Sequence, residues 1–135
     1  MTVDLFLETL VAWAKGRADI EGVALVGSYA RNTASITSDV DLIFLTGERS
    51  QNLQDHEWVS EFGKVERLRA ETWGNAETIR VTYTGGLEVE YNFAEPSWAS
   101  VPVDPGTLRV VKEGFRILLD PRGKLEDLSF ASLKE

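Results

Sequence analysis

Two runs in the first third of the chain have no polar face. Val23 to Val26 is apolar throughout and bounded by Gly22 and Gly27, and Asp39 to Leu45 reads DVDLIFL, apolar at successive positions once past Asp41. A strand with apolar residues on both faces has to be covered on both faces, so it belongs inside a sheet between layers. That requirement excludes a half-exposed β-ribbon and a plain helical bundle, and it points to an α+β fold in which helices cover a sheet. The covering elements are legible. From Asp4 to Lys15 the apolar positions recur near a 3.6-residue period, which predicts an amphipathic helix ending at Gly16 with Trp13 in the core. A polar stretch from about Gln51 leads into an expected helix over 55–62, carrying His56, with Trp58, Val59 and Phe62 at i, i+1 and i+4. Strands are expected over 64–73, 76–84 and 87–93, and the pairs Gly74-Asn75 and Gly85-Gly86 between them are tight-turn signals, so these three form an antiparallel meander in a mixed sheet. Asp104-Pro105 supplies an N-cap and a first-turn proline for a helix that Gly114 closes, followed by a strand over 115–119, a turn over 121–123 and a short helical tail packing through Leu125, Leu128 and Phe130. No repeat, low-complexity tract or linker interrupts the chain, so residues 1–135 read as one domain.

Composition narrows the chemistry. With 14 basic and 22 acidic residues the formal charge is −8, which argues against a broad nucleic-acid footprint, since that affinity comes from clustered Lys and Arg. There is no cysteine, so disulfides, thiol nucleophiles and cysteine-ligated zinc are excluded, and the single histidine cannot supply a two-histidine metal motif. Whatever metal chemistry the chain performs is carboxylate chemistry. A length of 135 residues buries about two thirds of the unfolded surface and needs no metal for stability. The first residues carry Asp4 and Glu8 and no basic leader, and no apolar run approaches the ~18 residues of a membrane span. A soluble, cytoplasmic protein without a membrane partner is expected.

Acid pairs at i, i+2 are uninformative by count: chance yields about 3.6 in a chain this acidic, and there are four, at 19/21, 39/41, 55/57 and 88/90. Context lifts Asp39 and Asp41, which sit at the mouth of a buried strand on one face, about 7 Å apart at Cα, where their oxygens can converge on one or two hard divalent cations. A second element is Gly27-Ser28 directly after the first strand. If Tyr29-Ala30-Arg31 starts a helix, the turn presents backbone N–H groups and the positive helix end to an anion, with glycine allowing close approach.

Together these residues carry a resemblance. The stretch GSYARNTASITSDVDL resembles the signature of the nucleotidyltransferase superfamily that includes DNA polymerase beta, and in particular the small bacterial minimal nucleotidyltransferase domains: Gly27, Ser28, Ala30, Arg31, Ser38, Asp39, Asp41 and Leu42 match, and Asn32 stands where glycine is common. The resemblance implies a nucleotidyltransferase fold with a strand, a Gly-Ser turn and a helix. It also implies a third acid on a later strand beside Asp39 and Asp41. Glu88 and Glu90 share one face of LEVEYNF, and counting from Gly86 favours Glu90, with Glu88 as the alternative. Two Mg²⁺ ions, or Mn²⁺ in their place, would then be held by Asp39, Asp41 and Glu90, the catalytic acids, while Gly27, Ser28, Arg31 and Ser38 serve the nucleotide. The implied reaction moves a nucleoside monophosphate, AMP from ATP, to a hydroxyl of a small molecule or protein and releases pyrophosphate. The competing expectation is an antitoxin-type module that binds a helical partner protein with little turnover. A homodimer or a separate partner is expected to complete the acceptor pocket, with Trp98 either anchoring that contact or plugging the end of the core. His56 reads as a helix-surface residue, Trp58 and Trp73 as core or rim, and Arg109, Lys112 and Arg116 as cations that could meet a triphosphate.

Overall fold

The computed structural model describes residues 2–35, 38–47, 53, 55–73 and 76–135. Helix α1 (Val3–Lys15) starts where the Thr2 hydroxyl accepts from the Leu5 amide at 3.1 Å and stops at Gly16, as its periodicity predicts. Strand β1 (Ile20–Val26) pairs antiparallel with β2 (Val40–Thr46). The meander follows as β3 (Val65–Trp73), β4 (Ala76–Tyr83) and β5 (Glu88–Ala94), joined antiparallel, and β5 runs parallel to β2. Helix α2 (Pro105–Glu113) is capped by Asp104, whose carboxylate accepts from the Gly106 and Thr107 amides. It leads into β6 (Phe115–Leu119), and α3 (Lys124–Ser132) ends the fold. The result is a six-stranded mixed sheet in the order β3-β4-β5-β2-β1-β6, an α+β architecture as the apolar runs require.

Both faces of β1 and β2 are buried, each against a different layer. Val23, Leu25, Val40, Leu42 and Phe44 join Val89, Tyr91 and Phe93 of β5 and Ile79, Val81 and Tyr83 of β4 under Phe6, Leu7 and Leu10 of α1. Trp13 completes that layer by stacking on Trp58 at 5.2 Å. On the other face Ala24, Val26, Ile43 and Leu45 lie under Ala99, Leu125 and Leu128. That second layer stops at β2 and at Ala94, the last residue of β5. Beyond it, the same face of β5, β4 and β3 carries Glu90 and Asn92, Thr78 and Arg80, and Arg67, Arg69 and Glu71. The sheet face is therefore half covered and half open, and the border runs through Asp41 and Glu90.

Two expectations change. The segment before β3 is a 3-10 helix over Glu57–Phe62 rather than a helix from residue 55, because His56 takes a left-handed backbone (φ 62°) and breaks it; His56 precedes the helix instead of lying on it, while Trp58, Val59 and Phe62 are buried as expected. Phe130 of α3 is 61% exposed, whereas Leu125 and Leu128 are fully buried: residue 130 falls off the stripe those two define. Trp98 sits partly buried against the second layer, in keeping with the core-plugging one of its two expected roles, and the Thr107 hydroxyl donates to its backbone carbonyl at 3.2 Å. The expected turn at Gly74-Asn75 lies outside the described residues, as does the side chain of Trp73.

Candidate active site

The Gly27-Ser28 turn leaves β1 beside β2, because Val26 pairs with Asp41. Gly27 has φ +76°, and a Cβ built on it would stand 2.8 Å from the Asp41 carboxylate. The left-handed backbone therefore favours glycine, and a side chain there would have to push the Asp41 carboxylate aside. No helix follows, contrary to the expected strand-turn-helix. The Ala30 and Arg31 amides donate to the Gly27 carbonyl at 3.1 and 3.2 Å, but Asn32 turns left-handed (φ 58°) and the Thr33 amide returns to the Ser28 carbonyl at 2.9 Å. One turn forms and is closed off, so the anion argument loses its helix dipole and keeps only the close approach that glycine allows. Asn32 stands where glycine is common because both accept that left-handed backbone.

Arg31 fastens this loop to α2. Its Nη1 donates to the Glu113 carbonyl at 2.9 Å and its Nε to the Thr33 hydroxyl at 3.1 Å. Gly114, at φ +145°, permits the closeness: a Cβ there would meet the Gly27 carbonyl at 2.7 Å. Ser38 folds the approach to β2, its hydroxyl accepting from the Ser35 amide at 2.9 Å and its own amide donating to the Ser35 carbonyl.

The carboxylates come from two adjacent strands in parallel register. Val40 pairs with Val89 and Asp41 with Glu90, which puts Asp39, immediately before β2, beside Glu88 at the start of β5. Burial is the main force raising the Asp41 pKa to about 7, assisted by the Glu90 charge and hydrogen bond and by the Asp39 charge, against a smaller opposing pull from Arg80. Glu88 is raised by its hydrogen bond and charge contact with Asp39, although it is exposed. Glu90 is thus the acid that register joins to Asp41. Just beyond it the Asn92 amide donates to the Leu42 carbonyl at 3.0 Å and accepts from the Thr78 hydroxyl at 2.8 Å, bracing β2, β5 and β4 together.

The cations nearest these acids are ones that sequence reasoning missed. Arg80 lies opposite Glu90 and pairs with it at 3.1 Å, and its Nε lies 3.3 Å from Glu71, which also pairs with Arg69 at 2.8 Å. Arg67, Arg69 and Arg80 line an open cavity of about 270 Å³ with Asp39, Glu88 and Glu90. The signal was the period-2 alternation Arg67, Arg69, Glu71 on β3, but its meaning depended on the hairpin register. Of the cations proposed from sequence, Lys112 instead donates to the Glu135 carbonyl at 2.8 Å.

A sequence profile of the streptomycin adenylyltransferase family matches residues 2–96, which span the Gly-Ser turn and all four acids. The chain belongs to this family. Its fold agrees: an aminoglycoside 6-adenyltransferase from Bacillus subtilis superposes with a TM-score of 0.58 over 73% of this chain at 13% identity. A CCA-adding enzyme in its apo form matches 94% of the chain with a TM-score of 0.49 and 16% identity. The chain spans 37% and 31% of the length of those two proteins. No curated protein matches it by sequence. For this member of the streptomycin adenylyltransferase family, the nucleotidyltransferase identity and the mixed-sheet fold implied by GSYARNTASITSDVDL are both established.

Nucleotidyltransferase chemistry implies divalent metal, and the donors suit it in kind. All are hard carboxylate oxygens, and Asp41 is crowded enough to hold a proton near neutrality, a condition that a dication would relieve. As the side chains stand, no three acids among the described residues converge closely enough to hold an ion, and Glu90 is turned toward Arg80. Among the described residues no helix is long and apolar enough to cross a membrane.

Proposed function

We propose that the chain transfers a nucleoside monophosphate, AMP from ATP, to a hydroxyl group, using Mg²⁺ held by Asp39, Asp41 and Glu90. The observation that carries this reading is the row Gly27, Asp41, Glu90: a glycine turn whose backbone lies against the Asp41 carboxylate, with Glu90 paired to Asp41 across parallel strands. When bound, Mg²⁺ would neutralise charge on the triphosphate and polarise its phosphorus. The chain's own residues do the rest. Gly27 and Ser28 take the β and γ phosphates, and Arg31 keeps their loop seated on α2. The acceptor oxygen forms its bond to the α phosphorus as the bond to the pyrophosphate oxygen breaks, and the hydroxyl proton passes to the Glu90 carboxylate. Ser38 supports the reaction indirectly by shaping the approach to Asp39. A module built only to bind a partner has no use for crowded acids beside such a glycine, which favours turnover over the antitoxin-type reading.

The test is calorimetric titration of ATP with Mg²⁺ and with EDTA, on the wild type and on Asp39→Asn and Asp41→Asn. Binding is expected with Mg²⁺ alone, and its loss in both variants while the fold, followed by circular dichroism, is retained. Equal ATP affinity in EDTA would remove this reading.

A further inference from the structure

Resting on that reading, we infer that the acceptor is a small hydroxylated molecule carrying an anionic group, phosphate or carboxylate, and that Arg67 with Arg69 and Arg80 recognises it on the open face of β3 and β4. The sheet order sets the direction. Gly27 and Ser28 lie at the end of β1, on one side of Asp41, and Glu90 lies on the other, followed by Arg80 on β4 and Arg69 on β3 in one cross-strand row. Strands are about 4.8 Å apart, so the arginines stand on the side of the acids opposite the proposed phosphate turn. In an in-line displacement the entering oxygen approaches opposite the leaving pyrophosphate. If pyrophosphate leaves toward Gly27, the acceptor enters from the arginine side.

The chemistry of that side suits an anion. Arg67 is exposed and makes no ion pair or hydrogen bond among the described residues, and its charge acts on Glu88. Arg80 is held by Glu90 and Glu71, and its hold on Glu90 is released if Glu90 turns to a metal. Guanidinium groups take carboxylate or phosphate oxygens in paired hydrogen bonds. With Asp39 and Glu90 committed to metal, the cavity lining keeps Arg67, Arg69 and Arg80 against Glu88, an excess of positive charge that suits an anion better than a polycation. Its volume of about 270 Å³ lies below the ~300–1,000 Å³ common for drug-sized ligands. A compact acceptor fits it better than an aminoglycoside.

The experiment titrates glycerol 3-phosphate, glycerate, streptomycin and a short RNA with a free 3′ hydroxyl into the full chain, with Mg²⁺ and a non-hydrolysable ATP analogue and again without nucleotide. The proposal expects one or both small anions to bind, the tighter one naming phosphate or carboxylate, and streptomycin not to bind. Arg67→Gln should weaken the anion about ten-fold and leave the ATP analogue within about two-fold, with Arg67→Lys between wild type and Arg67→Gln. Tighter binding of streptomycin or RNA, absence of anion binding, or an Arg67→Gln loss shared equally by the nucleotide would overturn it. Failure of the analogue to bind while the anions still do would count against the proposed transfer reaction and leave the anion site standing; the reverse pattern would count against the anion site alone.

Discussion

Asp41 concentrates the conflict between folding and function in one side chain. Its carboxylate is flanked by the Gly27 backbone and Glu90, and burial, with Glu90 and the Asp39 charge, raises its pKa from 3.8 to about 7. The raised value means that the native state binds the proton more tightly than the unfolded chain does. Stability contributed by that proton is fully present below pH 3.8 and is lost as pH rises through about 7. Asp41→Asn, neutral at every pH, should therefore be more stable than wild type at pH 8 in EDTA by about 1–2 kcal/mol, after allowance for partial solvent exposure. The advantage should fade as the pH falls toward 4. Urea unfolding at both pH values checks this, and equal stability at pH 8 would show that the crowding is relieved in some other way. Gly27 makes the same point sterically: alanine there would have to occupy space already held by the carboxylate it is meant to accompany.

At the scale of elements, the parallel pairing of β2 with β5 separates two acids that the sequence left in competition. Glu90 faces Asp41 and is held by Arg80, whereas Glu88 faces Asp39 at the exposed start of β5. Glu90→Gln should lower nucleotidyl transfer on the order of a hundred-fold or more, and Glu88→Gln should stay within a few-fold of wild type, as read by pyrophosphate release. If Glu88→Gln proves the inactive variant, the metal site is centred one pleat nearer the strand start. Much of this element was legible. The alternation in LEVEYNF, the tight-turn glycines before it and the apolar β2 were enough to place Glu88 and Glu90 on one face. Less visible was what lay across the hairpin. Arg80 meets Glu90 because Gly85-Gly86 sets the β4 to β5 register, and a one-residue slip would have brought Ile79 or Val81 there instead. The turn after Gly27 failed in the other direction: its residues are compatible with a helix, but Asn32 and the Thr33 return bond end it after one turn.

Across the whole molecule, the half-covered sheet explains where the site can be. The first apolar layer spans β1 to β5, but the second, built from Ala99, Leu125 and Leu128, covers only the half around β1 and β2. The acids occupy its edge, buried enough for their charges to interact strongly and open enough for a substrate to reach them. The second layer should therefore be a large share of the stability. Leu128, fully buried on α3, should cost about 2–5 kcal/mol when replaced by alanine, measured by urea unfolding. A loss below 1 kcal/mol would mean that α3 merely rests on the sheet.

The apolar runs at Val23 and Leu42, the amphipathic first helix, the Asp104-Pro105 cap and the motif from Gly27 to Leu42 were enough to determine the α+β fold and the nucleotidyltransferase family. Each is a local pattern whose physical meaning survives without knowledge of its neighbours: a strand with no polar face must be buried, and a capped helix starts where its cap lies. What only the tertiary structure decided is which charges meet. Arg67, Arg69, Glu71 and Arg80 belong to the acid site because hairpin register and strand order bring them there. Electrostatic interaction depends on a few ångströms of separation in three dimensions, which spacing along a chain does not encode.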